Sequence, residues 1–128
     1  MKKVLIDTDI IIDYLRTNKG ILVDLLALNA KGKIEILISV ITVLEITAGI
    51  TGSKDEKYIN SLFEYSNIIP INYEIASFAG KNKQNIKGPI YLADYLIAMS
   101  AIYTKSYLAT RNNKHFSTIP DLKLLSDN

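Results

Sequence analysis

Val4-Leu5-Ile6 is an unbroken aliphatic run that stops at Asp7. A half-solvated strand would alternate apolar and polar residues, so the run predicts a strand buried on both faces. From Asp9 the period changes. Ile10, Ile11, Tyr14 and Leu15 recur at helical spacing, with Thr8 or Asp9 placed to cap the first turn. Gly20 ends this helix, and Leu22, Leu25, Leu26 and Leu28 predict a second. After a Lys31-Gly32-Lys33 turn, Ile34 to Ile38 repeats the buried-strand pattern. Ser39 then caps a helix carrying Val40, Val43, Leu44 and Ile46 as far as Gly49.

Gly52-Ser53-Lys54 reads as a loop, and helical spacing resumes at Tyr58, Ile59, Leu62 and Phe63. Ile68-Ile69-Pro70-Ile71 predicts a third strand, which its proline confines to an edge or an end. Ile75, Ala76 and Phe78 lead into a polar segment, Lys81 to Gly88, and Pro89 introduces an apolar helix from Leu92 to Tyr103. Tyr107 to Thr110 is a fourth strand and Leu122 to Leu125 a weak fifth. Strands alternating with helices predict an α/β fold with a mostly parallel sheet covered on both faces. One domain over residues 1–128 accommodates the whole pattern, without internal repeats. Ile50, Leu62, Phe63 and Tyr65 are open to two uses, packing inside the subunit or between subunits.

Composition narrows the chemistry. Hydrophobic residues make up 48% and charged residues 22%, enough to form a core. Fifteen basic against thirteen acidic side chains leave a net charge of +2, too small to mark a nucleic-acid coat protein. Cysteine is absent and His115 is the one histidine, so disulfides, thiolate nucleophiles and sulfur-bound zinc are excluded. Any metal must be held by oxygen. Lys2 and Lys3 precede only three apolar residues, far short of an export signal. No stretch reaches the ~20 apolar residues of a membrane span. A soluble, cytoplasmic protein with no membrane partner is the expectation.

Ligands collect beyond the carboxyl ends of parallel strands, which draws attention to three acids. Asp7 ends the first strand, where a turn or cap role is the simpler alternative. Glu45 sits among apolar neighbours on a helix that should be buried nearly all round, unless Thr42, Glu45 and Gly49 form a solvated stripe. Asp94 opens the Leu92–Tyr103 helix, where the helix dipole alone favours an acid by about 0.3–1 kcal/mol. Gathered at one sheet end, such carboxylates repel by about 4 kcal/mol per pair at ~4 Å. A divalent cation reverses that sign, and oxygen ligation selects Mg2+ or Mn2+.

Together these motifs resemble the PIN-domain ribonucleases, particularly the VapC toxins of prokaryotic toxin–antitoxin pairs. The resemblance runs through Val4-Leu5-Ile6-Asp7-Thr8-Asp9, Ser39-Val40-Ile41-Thr42-Val43-Leu44-Glu45-Ile46, Leu92-Ala93-Asp94-Tyr95-Leu96-Ile97-Ala98 and Leu108-Ala109-Thr110-Arg111-Asn112. It closes on His115-Phe116-Ser117-Thr118-Ile119-Pro120-Asp121-Leu122. Each motif is short; their order and their gaps of 38, 49 and 18 residues (7 to 45, 45 to 94, 94 to 112) carry the match. The resemblance implies a three-layer α/β/α sandwich, Mg2+ or Mn2+ at the acid cluster, and endonucleolytic cleavage of single-stranded RNA. It also implies a homodimer and an antitoxin that blocks the site. Asp7 and Asp94 would be the principal metal ligands, with Glu45 completing the site as a ligand or activating water.

At the fourth acidic position of the family this chain carries Asn112, and one firmly held ion is expected rather than two. Asn112 still offers a carbonyl oxygen to a metal or a water. Thr8 and Thr42 are candidates to hydrogen-bond the acids or the scissile phosphate. Arg111 stands out from Arg16 and Lys114 as a candidate RNA contact, and Lys81, Lys83 and Lys87 form a basic stretch before the third-acid helix. His115 is a candidate proton donor, although packing beside Phe116 is the simpler role. Two other enzyme classes fit less well. Asp7-Thr8-Asp9 after a strand suggests a haloacid dehalogenase-type phosphatase, but no late acidic pair follows Thr110. A receiver domain needs an acceptor Asp after a central strand, where Ile68-Ile69-Pro70-Ile71-Asn72 has none. The non-enzymatic alternative is a PIN domain disabled by Asn112 that binds RNA or protein.

Overall fold

A computed structural model describes residues 1–50 and 52–126. Its sheet has four parallel strands, β1 (Lys2–Ile6), β2 (Ile34–Ser39), β3 (Asn67–Ile69) and β4 (Tyr107–Ala109), in the order β3-β2-β1-β4. Helices α1 (Thr8–Thr17) and α2 (Ile21–Ala30) join β1 to β2, and α3 (Val40–Gly49) and α4 (Ser53–Tyr65) join β2 to β3. Helices α5 (Tyr73–Asn82) and α6 (Leu92–Tyr103) lead from β3 to β4, and the short α7 (Asn113–Phe116) follows.

Successive side chains of a strand point to opposite faces, and here both faces are dry. Val4, Ile6, Ile34, Ile36, Ile38 and Ala109 enter one apolar cluster with α1, α2, α3 and α4. Leu5, Leu37 and Leu108 enter the other, with α5, α6 and Phe116 of α7. The result is a three-layer α/β/α sandwich, and the uninterrupted aliphatic runs are its physical signature. Leu62 belongs to the first cluster, and Ile50 and Phe63 pack on it half-buried, whereas Tyr65 is exposed.

Pro70 follows β3 directly, and β3 is an edge strand, as a missing N–H requires. Three local expectations are corrected. The cap of α1 is Asp7, not Thr8 or Asp9: its side chain accepts from the Thr8 N–H, one residue earlier than the apolar period suggested. Ser53 and Lys54 are helical, because α4 starts as soon as Gly52 has turned the chain. Leu122–Leu125 is no strand but a single parallel bridge, Leu124 to Leu108. Among the described residues no helix is long and apolar enough to cross a membrane.

Ile38 has no solvent exposure at the centre of the first cluster. Ile38→Ala leaves a cavity and is expected to cost about 2–5 kcal/mol in equilibrium urea unfolding.

Candidate active site

β1 pairs with β2 on one side and with β4 on the other, so chain connections leave β1 in opposite directions. That switch point opens a crevice beyond the carboxyl ends of β1 and β4. The Asp7 N–H donates to the Ala109 carbonyl at 2.9 Å and carries the ladder one residue past β1. Asp7 is therefore buried, 5% exposed, at the end of the sheet. Its Oδ1 accepts from the Thr8 N–H at 2.8 Å, and its Oδ2 accepts from the Thr110 hydroxyl at 2.7 Å.

Asp9, in the first turn of α1, lies at the same end of the sheet. Both of its carboxylate oxygens accept from the Arg111 N–H at 3.2 Å, and Oδ2 lies 3.3 Å from the Thr110 hydroxyl. Thr110 has one proton to give, and the shorter contact assigns it to Asp7. Its oxygen in turn accepts from the Asn112 N–H at 3.0 Å. The turn after β4 is thus pinned to Asp7, the cap of α1, and to Asp9 inside it. The sequence reading gave Thr110 no chemical role and Asp9 one only in the phosphatase alternative. Their signal was available: Thr110 ends the strand beside β1, and Asp9 lies two residues beyond the buried acid.

Two acids this close disfavour each other's ionisation. Burial, then the charge of Asp9, pushes the Asp7 carboxyl up from 3.8 to about 7, despite the hydrogen bonds from Thr110 and Thr8; Asp94 adds to the rise. Asp9 is also raised, chiefly by burial, and Asp94 again contributes. Asp94 sits in the first turn of α6 as expected, and its Oδ2 lies 3.5 Å from Nε2 of His115. That separation is too long for a hydrogen bond, and His115 stacks edge-on against Phe116.

Glu45 joins the group by a relay. Thr42 and Thr8 hydroxyls lie 2.9 Å apart, and Thr8 donates to Glu45 Oε1 at 2.6 Å, so Thr42 supplies the proton that Thr8 accepts. Thr8 touches Glu45 with its side chain and Asp7 with its N–H, linking acids 38 residues apart in sequence. The reading of Glu45 as a buried carboxylate is corrected. Only Thr42 and Ile46 of α3 are buried, and Glu45 is exposed beside Leu44, which is 66% exposed. Helical apolarity overstated the burial of α3 because only one stripe meets α1 and the sheet.

Asn112 is exposed and precedes α7, and its side chain caps nothing. The Arg111 guanidinium turns to Asp13 at 3.3 Å; its N–H, not its charge, faces the acids.

A family model for the PIN domain matches residues 4–122. The chain belongs to the PIN-domain family. It is 32% identical over 125 residues to Ribonuclease VapC1 of Methanocaldococcus jannaschii, covering 95% of this chain and 85% of that protein. Its fold superposes on VapBC2 of Rickettsia felis bound to a promoter DNA fragment, with a TM-score of 0.84 and 22% identity over 98% of this chain and 99% of that one. A toxin–antitoxin complex of Klebsiella pneumoniae aligns with a TM-score of 0.70 and 30% identity, covering 93% of this chain and 94% of that one.

The donors of this PIN domain suit a hard divalent ion. They are carboxylate, hydroxyl and amide oxygens, and a buried carboxyl with a raised pKa is a proton-holding stand-in for a cation. Among the described residues no group of three acidic or histidine side chains is placed to hold a metal ion. Mg2+ needs none, since it keeps several waters and takes one or two carboxylates.

The sign of the Asp7 shift makes a stability prediction. Between pH 4 and about 7 the fold holds a proton on Asp7 that the unfolded chain has released, so metal-free stability falls as pH rises through that window. At about 1.4 kcal/mol per pH unit the loss amounts to a few kcal/mol. In chelator, Asp7→Asn, whose amide oxygen keeps the cap, is expected to melt higher than wild type at pH 8 and to match it near pH 4. Asp9→Asn should lower the Asp7 pKa and shrink the pH dependence. Melting curves of the three proteins across pH check both statements.

Proposed function

We propose that this protein is a divalent-metal-dependent endoribonuclease, the toxin of a VapBC-like toxin–antitoxin pair, that hydrolyses phosphodiester bonds in single-stranded RNA. The observation that carries the reading is the buried Asp7 at the switch point, coupled to Asp9 and Asp94 and joined through Thr8 to Glu45. An anionic pocket of this kind is costly when empty and is relieved by Mg2+ or Mn2+.

When bound, the ion supplies neutralisation of charge on the phosphoryl group and activation of the attacking water. Asp7 and Asp94 hold it. Thr110 and the Thr8 N–H fix both oxygens of Asp7, so its carboxylate meets the ion without reorganising. Glu45 works differently. Thr8 takes its Oε1, while the side chain stays at the solvent edge, suited to orient water and accept its proton. Asn112 lacks the family's fourth charge, but Asp9 brings a carboxylate to the turn that carries it, which argues against a disabled, binding-only domain. Single-stranded RNA is favoured because a duplex hides its base edges from side chains.

The antitoxin reading has a surface to act on. A groove of about 280 Å³ between α1, α3 and α4 is walled by Ile12, Leu15, Ile46 and Ile50 and reaches Glu45. A partner segment laid there would close the site from the solvent side. Exposed Leu44, Tyr65 and Tyr73 leave apolar area for a second copy, as a homodimer requires.

Purified protein is expected to cleave single-stranded RNA with Mg2+ or Mn2+ and to stop in chelator. Asp7→Asn and Asp94→Asn should lose cleavage, and Glu45→Gln should lower kcat about 10²–10⁴-fold. Chelator-resistant cleavage retained by Asp7→Asn would reject the proposal. Sequencing RNA ends after expression of wild type and Asp7→Asn identifies the target.

A further inference from the structure

Beside Asp94 the segment before α6 and the start of α7 enclose two adjoining recesses of about 240 and 260 Å³. They share Pro89, Ile90 and His115. Lys87 and Lys114 line the first and Tyr91 the second. Three recesses elsewhere among the described residues each include a carboxylate, Asp24, Glu45 with Asp55, or Asp121. These two include none. Two lysines in one recess equal the formal net charge of the whole chain.

His115 is the shared wall between this cationic cleft and the acid site, its Nε2 being 3.5 Å from Asp94. Tyr91 is 79% exposed just ahead of α6, three residues before Asp94. Tyr91 thus presents a large aromatic face to water at the recess that adjoins the one lined by Lys87 and Lys114. It matches the pairing of stacking platform and phosphate contacts that holds single strands. The acids at the reaction centre repel an incoming polyanion, so attraction must come from flanking charge. Arg111 cannot give it freely, being turned to Asp13.

We infer that the cleft between Lys87–Tyr91 and Lys114–His115 is the nucleotide subsite flanking the scissile phosphate. The adjacent base stacks on Tyr91 over Pro89 and Ile90, and its phosphates are held by Lys87 and Lys114. This inference rests on the ribonuclease reading and assigns the side from which the strand approaches Asp94.

The test uses Asp7→Asn in the 128-residue chain, expected not to cut, and a fluorescein-labelled oligouridylate read by anisotropy in chelator across salt concentrations. Adding Lys87→Ala with Lys114→Ala should weaken binding at least tenfold at low salt. It should also flatten the slope of log affinity against log salt by about 1.4, about 0.7 per phosphate contact. Adding Tyr91→Ala should weaken binding about tenfold with the slope unchanged, and Tyr91→Phe should restore it. In the cleaving protein the same changes should raise KM more than they lower kcat and alter which phosphodiesters are cut. The three residues changed in the cleft, Lys87, Tyr91 and Lys114, are exposed, and matched melting temperatures confirm folding. If Asp7→Asn binds RNA and neither set changes affinity or slope, the subsite is wrong and the ribonuclease reading stands. If Asp7→Asn binds no RNA at any salt, both fall. If Tyr91→Ala instead shifts the oligomeric state by light scattering, Tyr91 is a contact between copies and the inference is overturned.

Discussion

A carboxylate held out of water at the end of the central strand is the constraint on which the site depends. Asp7 continues the β1–β4 ladder through its N–H, caps α1 through Oδ1 and takes the Thr110 hydroxyl on Oδ2. These bonds satisfy its oxygens without restoring the hydration lost on burial, and two further acids lie within electrostatic reach. The fold can carry such a group only by protonating it or by lending it a cation. The functional site is thus also its least comfortable point.

The two threonines explain how the strain is organised. Thr8 and Thr110 stand on either side of Asp7 and each contacts a second acid, Glu45 and Asp9 respectively. Each hydroxyl donates to one carboxylate and accepts from a neighbour, so elements remote in sequence are held in one register. Burial gives the acids different environments. Asp7 is dry and raised in pKa, whereas Glu45 faces solvent, where water is available to activate. Different environments for paired carboxylates are the usual basis for dividing binding from proton transfer.

The two open flanks of the site differ in character. Towards α1, α3 and α4 the groove mixes aliphatic walls with Arg16, Glu45 and Asp55; towards the start of α6 and α7 it is cationic with an aromatic lip. Aliphatic walls suit a protein segment and a basic recess suits a polyanion, so in the proposed reading inhibitor and substrate would have separate approaches to one set of acids.

Legibility followed the range of the interaction. Aliphatic runs revealed β1 and β2 because a strand buried on both faces has no polar alternative, and Pro70 marked the edge strand because it lacks an N–H. Order and spacing singled out Asp7, Glu45 and Asp94 before any contact was known. The exposure of Glu45 and the reach of Thr110 to Asp7 across 103 residues were not legible, although the places of Thr110 at a strand end and of Asp9 two residues beyond Asp7 were. α3 is nearly as apolar in sequence as a core helix, yet it meets its neighbours on one stripe. Local sequence determined which segments were strands and helices, since backbone and burial preferences act over a few residues. The meeting of these side chains was decided by the crossover of β1 between β2 and β4, because only chain topology brings strand ends together and sets which carboxylate loses its water.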